Sequence, residues 1–217
     1  MYKICLIFFF FTTNISYSQI NKQLDTTITI DDTTKVHFKS ISKKQYFSTK
    51  DDRSISFVKL KSIIKQNKSI FIKLQNNAYI ELKDSSDEEK TDYVRFSYMG
   101  SFNNINFHLF TASYYEIGKC ILINDSTGQK YEMFGEPKLS PSSKYFINAS
   151  GIFNYDPFPN IIQLWNCSNG SLKLLFDFYP SDWVPEGIKW IEGNTIYFIQ
   201  SFSKNINKYA SIQILNN

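Results

Sequence analysis

Histidine and cysteine are scarce here: two of the first and three of the second in 217 residues. With only His37 and His108 available, and no Gly-x-Ser-x-Gly elbow, nucleophilic catalysis by a serine has little support. His108 sits in the run INFHLF between Phe107 and Leu109, which reads as a satisfied strand histidine rather than a catalytic base. Neither Cys120 nor Cys167 has a Cys or His nearby at zinc-ligand spacing, so no metal and no other cofactor is implied. Two cysteines do not make a disulfide framework in a chain this long. A Cys120–Cys167 bridge and two separate thiols both remain open, since spacing alone does not supply the Cα separation a bridge requires.

Long apolar runs are also missing, with one exception. Ile4 to Phe11 is an unbroken apolar stretch of eight residues, preceded by Lys3 and followed by the small residues Ser16 and Ser18. A spanning helix needs about 20 apolar residues, so this stretch is too short to cross a bilayer. The order of charge, apolar core and small residues is that of a signal peptide, here residues 1–18. Cys5 opens the apolar run instead of following it, which argues against a lipoprotein cut. The expectation is an exported protein, periplasmic or at the cell surface, with no transmembrane span in the mature chain. Export also permits disulfides.

A large excess of one charge is absent as well. Without Lys3 the mature chain has 23 basic and 20 acidic residues, too balanced to imply a nucleic-acid partner. At 199 residues it fits one domain, burying about 70% of its unfolded surface.

What the sequence does have is strand-formers and recurrence. In Tyr93-Val94-Arg95-Phe96-Ser97-Tyr98 the residues Val94, Phe96 and Tyr98 share one face, and Tyr, Phe, Ile and Val suit a pleated, half-buried surface. KCILINDSTG, ending at Gly128, aligns with IIQLWNCSNG, ending at Gly170, at an offset of 42 residues. LSPSSKYFI from Leu139 lies over WIEGNTIYFI from Trp190 at about 51, and IIQLWN from Ile161 lies over SIQILN from Ser211 at 50. Such periods mark stacked units. Three units follow, about 93–135, 136–181 and 182–217, each of four antiparallel strands a to d. The third reaches Asn217 directly after its strand c. An early segment, Thr26–Asp31, is the candidate to supply the missing strand and cover the open edge.

This pattern resembles WD40-type and related β-propeller repeats. The resemblance rests on Leu139-Ser140-Pro141 with Lys144-Tyr145-Phe146, on Leu164-Trp165-Asn166, and on Asn169-Gly170. Asn166 stands where that family usually has Asp, and no Gly-His pair opens the unit. The layout is also similar to small exported bacterial proteins of no assigned activity. There a strand like Phe96-Ser97-Tyr98-Met99-Gly100 precedes a Ser-Pro turn and a segment like Trp183-Val184-Pro185. That likeness covers most of residues 90–200. Both resemblances imply an all-β fold of propeller-like antiparallel four-stranded units, about three plus an incomplete N-terminal one, as a closed small ring or an open stack.

Residues 19–90 form an N-terminal β segment, a partial unit of the same domain as the repeat region 91–217. KSIFIKLQNNAYIELKDS from Lys68 reads as a hairpin around Asn76-Asn77. ITIDDTTKVHFKSI from Ile28 reads as a strand pair, and the segment from Ser40 as a short helix capped by Ser40 or Ser42.

Candidate sites are few. FNYDPFPN and FYPSDWVPEGIKW place Tyr155, Phe158, Tyr179 and Trp183 beside prolines. Prolines stiffen loops, and loops on a rigid scaffold are where binding residues gather. These rings either meet a ligand or seal the ends of the sheets. Asp156, Asp182 and Glu186 lie among them, and paired carboxylates are what glycoside hydrolysis needs. The acidic run Asp84, Asp87, Glu88, Glu89 and Asp92 lacks the glycine of a calcium loop and reads as solvated. Residues 39–68 carry nine basic groups against Asp51 and Asp52, either a solvated lysine-rich face or an attractor for anionic partners. The reading is a non-catalytic binding or interaction module for a protein or glycan, through loops 153–159 and 179–187. The alternatives are a hydrolase of an extracellular polymer and a structural component of an envelope assembly.

Overall fold

The computed structural model describes residues 25–52, 57–85, 93–115, 117–151, 159–203 and 206–216. Residues 1–18, read above as a signal peptide, and Tyr155, Asp156, Phe158 and most of the acidic run lie outside them. In chain order the elements are β1 (Asp25–Thr29), β2 (Thr34–Ile41), α1 (Lys43–Ser48), β3 (Phe57–Val58), β4 (Lys65–Gln66), β5 (Ser69–Lys73) and β6 (Tyr79–Lys83). Then come β7 (Val94–Phe102), β8 (Phe107–Tyr114), β9 (Gly118–Asn124), β10 (Lys130–Met133), β11 (Lys138–Leu139) and β12 (Tyr145–Ser150). The last are β13 (Ile161–Ser168), β14 (Ser171–Phe178), β15 (Trp183–Ile191), β16 (Thr195–Phe202) and β17 (Ile206–Asn216).

The strands make four antiparallel sheets, none of them closed. Their orders are β4-β5-β6, β10-β9-β8-β7-β3, β11-β12-β13-β14 and β1-β2-β17-β16-β15. Each of the segments 93–135, 136–181 and 182–217 supplies the consecutive strands of one sheet. Consecutive antiparallel strands need only short turns, and here those turns explain the recurrence seen in the sequence. Gly128 and Gly170, the aligned glycines, both follow a third strand and have φ of 78° and 73°, a region open to glycine at no steric cost. The two turns also touch: the Asn124 side-chain amide donates to the Gly170 carbonyl at 2.6 Å. The Asn124 side-chain oxygen meanwhile accepts the backbone N–H groups of Ser126 and Thr127.

The face of each sheet that alternation makes apolar is buried against a neighbour. Ile70, Ile72 and Leu82 of the three-stranded sheet pack with Tyr98, Phe110 and Ile123 of the β7–β10 sheet. The opposite face of that sheet gives Phe107, Leu109 and Leu122, which meet Leu139, Phe146 and Leu172 of the β11–β14 sheet. Ile147, Leu164 and Phe178 on that sheet's other face meet Phe38, Trp190 and Ile212 of the last sheet. The sheets thus stack in chain order, because each has two apolar faces or one and no sheet alone can bury them.

The N-terminal strands join the last sheet. Residues Thr34–Ile41 pair with Tyr209–Asn216 over eight positions, so β2 takes the place next to β17. This corrects the assignment of Thr26–Asp31 to that place: β1 lies one strand further out, paired to β2. The reason is burial. Val36 and Phe38 are 0% and 1% exposed, and an apolar alternation of that strength belongs beside the core. The helix starts where Ser42 caps it, its hydroxyl accepting the Gln45 N–H at 3.1 Å. The hairpin around Asn76-Asn77 is β5 and β6, with Asn77 at φ 64°.

A second correction concerns residues 183–187, part of the loop 179–187 that the clustered rings and prolines suggested. They open β15. This strand is the edge of its sheet, where a proline's missing N–H removes no ladder bond. Gly187, at φ 56°, sits in the bulge between Glu186 and Lys189.

Candidate functional site

The first strands β7, β11 and β15 and the segment after α1 meet around a cleft of about 490 Å³. Phe57, Phe102, Leu139 and Trp190 form its apolar lining, with Pro137. Asp51, Asp52, Glu136 and Lys138 are its charged groups. β3 brings Phe57 there by pairing with the end of β7, which sets its ring 4.9 Å from that of Phe102. Phe57 is nonetheless 42% exposed.

Trp190 fixes the geometry. Its backbone N–H donates to Asp51 Oδ1 at 3.0 Å, and its carbonyl accepts the Asp52 N–H at 2.9 Å. Its indole N–H donates to the Lys138 carbonyl at 2.9 Å. One side chain and its peptide units therefore tie three segments together, and a buried polar atom that finds such a partner loses little on leaving water. The Lys138 ammonium donates to the Ile188 carbonyl and lies 3.6 Å from Asp51 Oδ2. A smaller recess of about 230 Å³ adjoins, sharing Glu136 and Lys138 and adding Pro185 and Glu186. Glu186 accepts the Ser201 hydroxyl at 2.7 Å.

Beside the cleft, α1 is pinned to the last sheet. The Lys189 ammonium donates to the carbonyls of Tyr46 and Thr49 and stands 4.0 Å over the Tyr46 ring. Loss of hydration lowers the Lys189 pKa, partly opposed by Asp51. Burial raises that of Tyr46, with Asp51 and Tyr209 adding to it.

A Ser–His–Asp chain exists elsewhere. Ser101 and His108 are cross-strand partners on β7 and β8. Ser101 Oγ is 2.6 Å from His108 Nδ1, and His108 Nε2 is 3.2 Å from Asp125 Oδ1. The Tyr98 hydroxyl completes the row, 2.7 Å from Ser101 Oγ. Ser101 is 2% exposed and His108 6%, so the serine has no room for a substrate. The row fastens the sheet to the β5–β6 turn, whose Gln75 bonds Asp125. This accords with a satisfied strand histidine. The partners themselves were hidden from sequence because they depend on the β7–β8 register.

The two described cysteines are free thiols, Cys120 buried and Cys167 half-buried, on the third strands of adjacent sheets. Burial pushes both up to about 11, Glu136 adding to the effect at Cys120. A raised thiol pKa stabilises the folded protein below the ordinary value of 9.0. That stabilisation is lost as pH climbs through 9 toward 11, where the unfolded chain ionises first. The expected result is slow modification by a thiol reagent at about pH 8. A urea midpoint falling from pH 8 to 10.5 should also fall less in a Cys120→Ala, Cys167→Ala variant. Equal slopes in the two proteins would refute the assignment.

The aromatic residues singled out from sequence separate. Trp183 is 3% exposed and its ring lies between those of Phe178 and Phe198, at 5.7 and 5.8 Å. It seals the core where β14 passes to β15. Tyr179 is 50% exposed, its hydroxyl donating to Asp177 at 3.3 Å. Asp182 accepts from Ser181 at 3.0 Å. Because Ser150 pairs with Ile161 and Ile162 with Phe178, the β12–β13 connection and the segment after β14 leave the same end of their sheet.

Asp84 is 9% exposed. It is held by Lys65 at 2.5 Å and by the Phe96 N–H at 2.9 Å, so this carboxylate joins two sheets. Among the described residues, no three His, Cys, Asp or Glu side chains group as metal ligands, and no helix is long and apolar enough to cross a membrane. The described cleft lining has carboxylates and one ammonium as its titratable groups and no Ser, Thr, Cys or His. What it offers a ligand is an exposed ring, an apolar floor and fixed charge. No protein-family model matches this chain, and neither does any curated protein or solved structure.

Proposed function

We propose that this protein is an exported, non-catalytic binding module on a propeller-like scaffold, and that its ligand seats in the cleft between β7, β11 and β15. The observation that carries this reading is the cleft itself. Its volume of about 490 Å³ falls within the span usual for ligand sites, and it opens where the first strands of three stacked sheets converge. In propeller architectures that is the side facing the central channel. Support for export comes from the Lys3, Ile4–Phe11, Ser16 and Ser18 pattern. The propeller-like reading draws on the meander order of the sheets and on β2 completing the last of them.

The reading moves the contact surface from the loops to the cleft, since Trp183 is committed to the core. Tyr179, half exposed, represents the loop 179–187 in the test. Wild type, Phe57→Ala and Tyr179→Ala proteins, each immobilised and shown to melt alike, are to be exposed to an extracellular extract. Retained species are then identified by mass spectrometry. A species kept by wild type and Tyr179→Ala and lost by Phe57→Ala is the expected result. Retention indifferent to Phe57 would place the ligand elsewhere.

A further inference from the structure

We infer that the cleft receives a cationic nitrogen on an apolar stem, a primary alkylammonium or a guanidinium. This rests on the cleft being a binding site and adds the chemistry of what binds there. Among the described lining residues the charged groups are three carboxylates and one ammonium. The ammonium is occupied: Lys138 donates to the Ile188 carbonyl and lies 3.6 Å from Asp51. The lining therefore has a formal charge of −2, on a chain whose formal charge is +4. Its sign is opposite to that of the protein as a whole.

Three physical effects act in the same direction. A cation entering the cleft meets carboxylates next to low-dielectric walls, which focus their field. It also meets Phe57, a partly exposed ring of the lining, and an aromatic face attracts a cation. The methylene stem of a lysine, an arginine or an alkylamine covers apolar surface while its head keeps polar company, which matches a floor of Phe102, Leu139 and Trp190 under a rim that includes Glu136. An anion of the same size faces like charge. A neutral alcohol gains the floor and none of the charge.

The source of the cation is either a free amine or a side chain of a peptide, and the test distinguishes them. Full-length protein is titrated with n-butylammonium, agmatine and a short lysine- and arginine-containing peptide, with butyrate and n-butanol as controls. The Trp190 indole N–H resonance is the reporter, since that group donates to Lys138 at the cleft wall. The expected result is a saturable shift with the amines or with the peptide, weakened by added salt, and none with butyrate. Glu136→Gln should weaken it about tenfold and Phe57→Leu several-fold. Glu136 is exposed, so its replacement leaves the fold intact, which a melting curve verifies. Binding of peptide alone identifies a macromolecular source, and binding of free amines alone a small-molecule one; either upholds the inference. Equal binding of butanol, preferred binding of butyrate, or no shift with any cation overturns it. If the cations fail while Phe57→Ala still abolishes capture from extract, the cleft remains the binding site and only its charge preference is wrong.

Discussion

Replacing Trp190 by alanine is expected to cost about 3–5 kcal/mol of stability, the usual loss for a fully buried large aromatic. The indole is 1% exposed, within the cluster that joins the last two sheets. Two terms add here. The first is the cavity left between those sheets. The second is the Lys138 carbonyl, which loses its indole donor and, if it stays buried, a further part of its hydration. Whole-protein stability is usually about 5–15 kcal/mol, so the variant should retain only a fraction of the wild-type resistance to urea. Trp190→Phe, which refills much of the volume but restores no donor, should lie between the two. Urea midpoints for the three proteins test this. A loss below about 1 kcal/mol for the alanine variant would mean that the sheets do not meet at this residue.

Removing residues 25–41 should have the larger consequence. That segment supplies β1 and β2, and β2 pairs with β17 along eight positions. Its loss strips Val36 and Phe38 from the core, and with Phe38 the ring contacts to Phe176 and Phe178 at 5.6 and 6.1 Å. It also bares an edge strand of 11 residues, Ile206–Asn216, and a long open edge recruits other chains. The truncated protein is expected to aggregate rather than to give a folded monomer, as judged by gel filtration and dispersion of amide resonances. A synthetic peptide of residues 25–41 added during refolding should recover the monomer. A truncated monomer melting within a few degrees of the intact protein would show that β2 is an accessory and not the strand that completes its sheet.

Much of the architecture was legible because it depends on local chemistry. Gly128 and Gly170 could be aligned across 42 residues since a turn at positive φ selects glycine in each sheet independently. The Asn76-Asn77 hairpin and a serine-capped helix, at Ser40 or Ser42, were readable for the same reason: a turn residue and a capping hydroxyl act on backbone groups within three positions, and the structure selects Ser42. The misreadings arose where sequence neighbours are not spatial neighbours. Pro185 and Gly187 look like loop residues in any local window. Only the position of β15 at a sheet edge lets them stand in a strand, and that places Trp183 in the core. Thr26–Asp31 and Thr34–Ile41 are both adequate strands, and which one joins β17 is settled by a contact some 170 residues away. The cleft was invisible for a related reason. Asp51, Phe57, Glu136 and Trp190 come from four separated segments, and none carries a motif.

The sequence by itself determined an all-β chain of stacked antiparallel units, the turns between their strands, and a scarcity of histidine and cysteine. These are properties of alternation, turn chemistry and composition, which act over a few residues. The tertiary structure decided which strand completes the last sheet, which aromatic rings are buried, and where charge and apolar surface converge. Those depend on long-range register and on which faces pack together, and such terms have value only once distant segments have met.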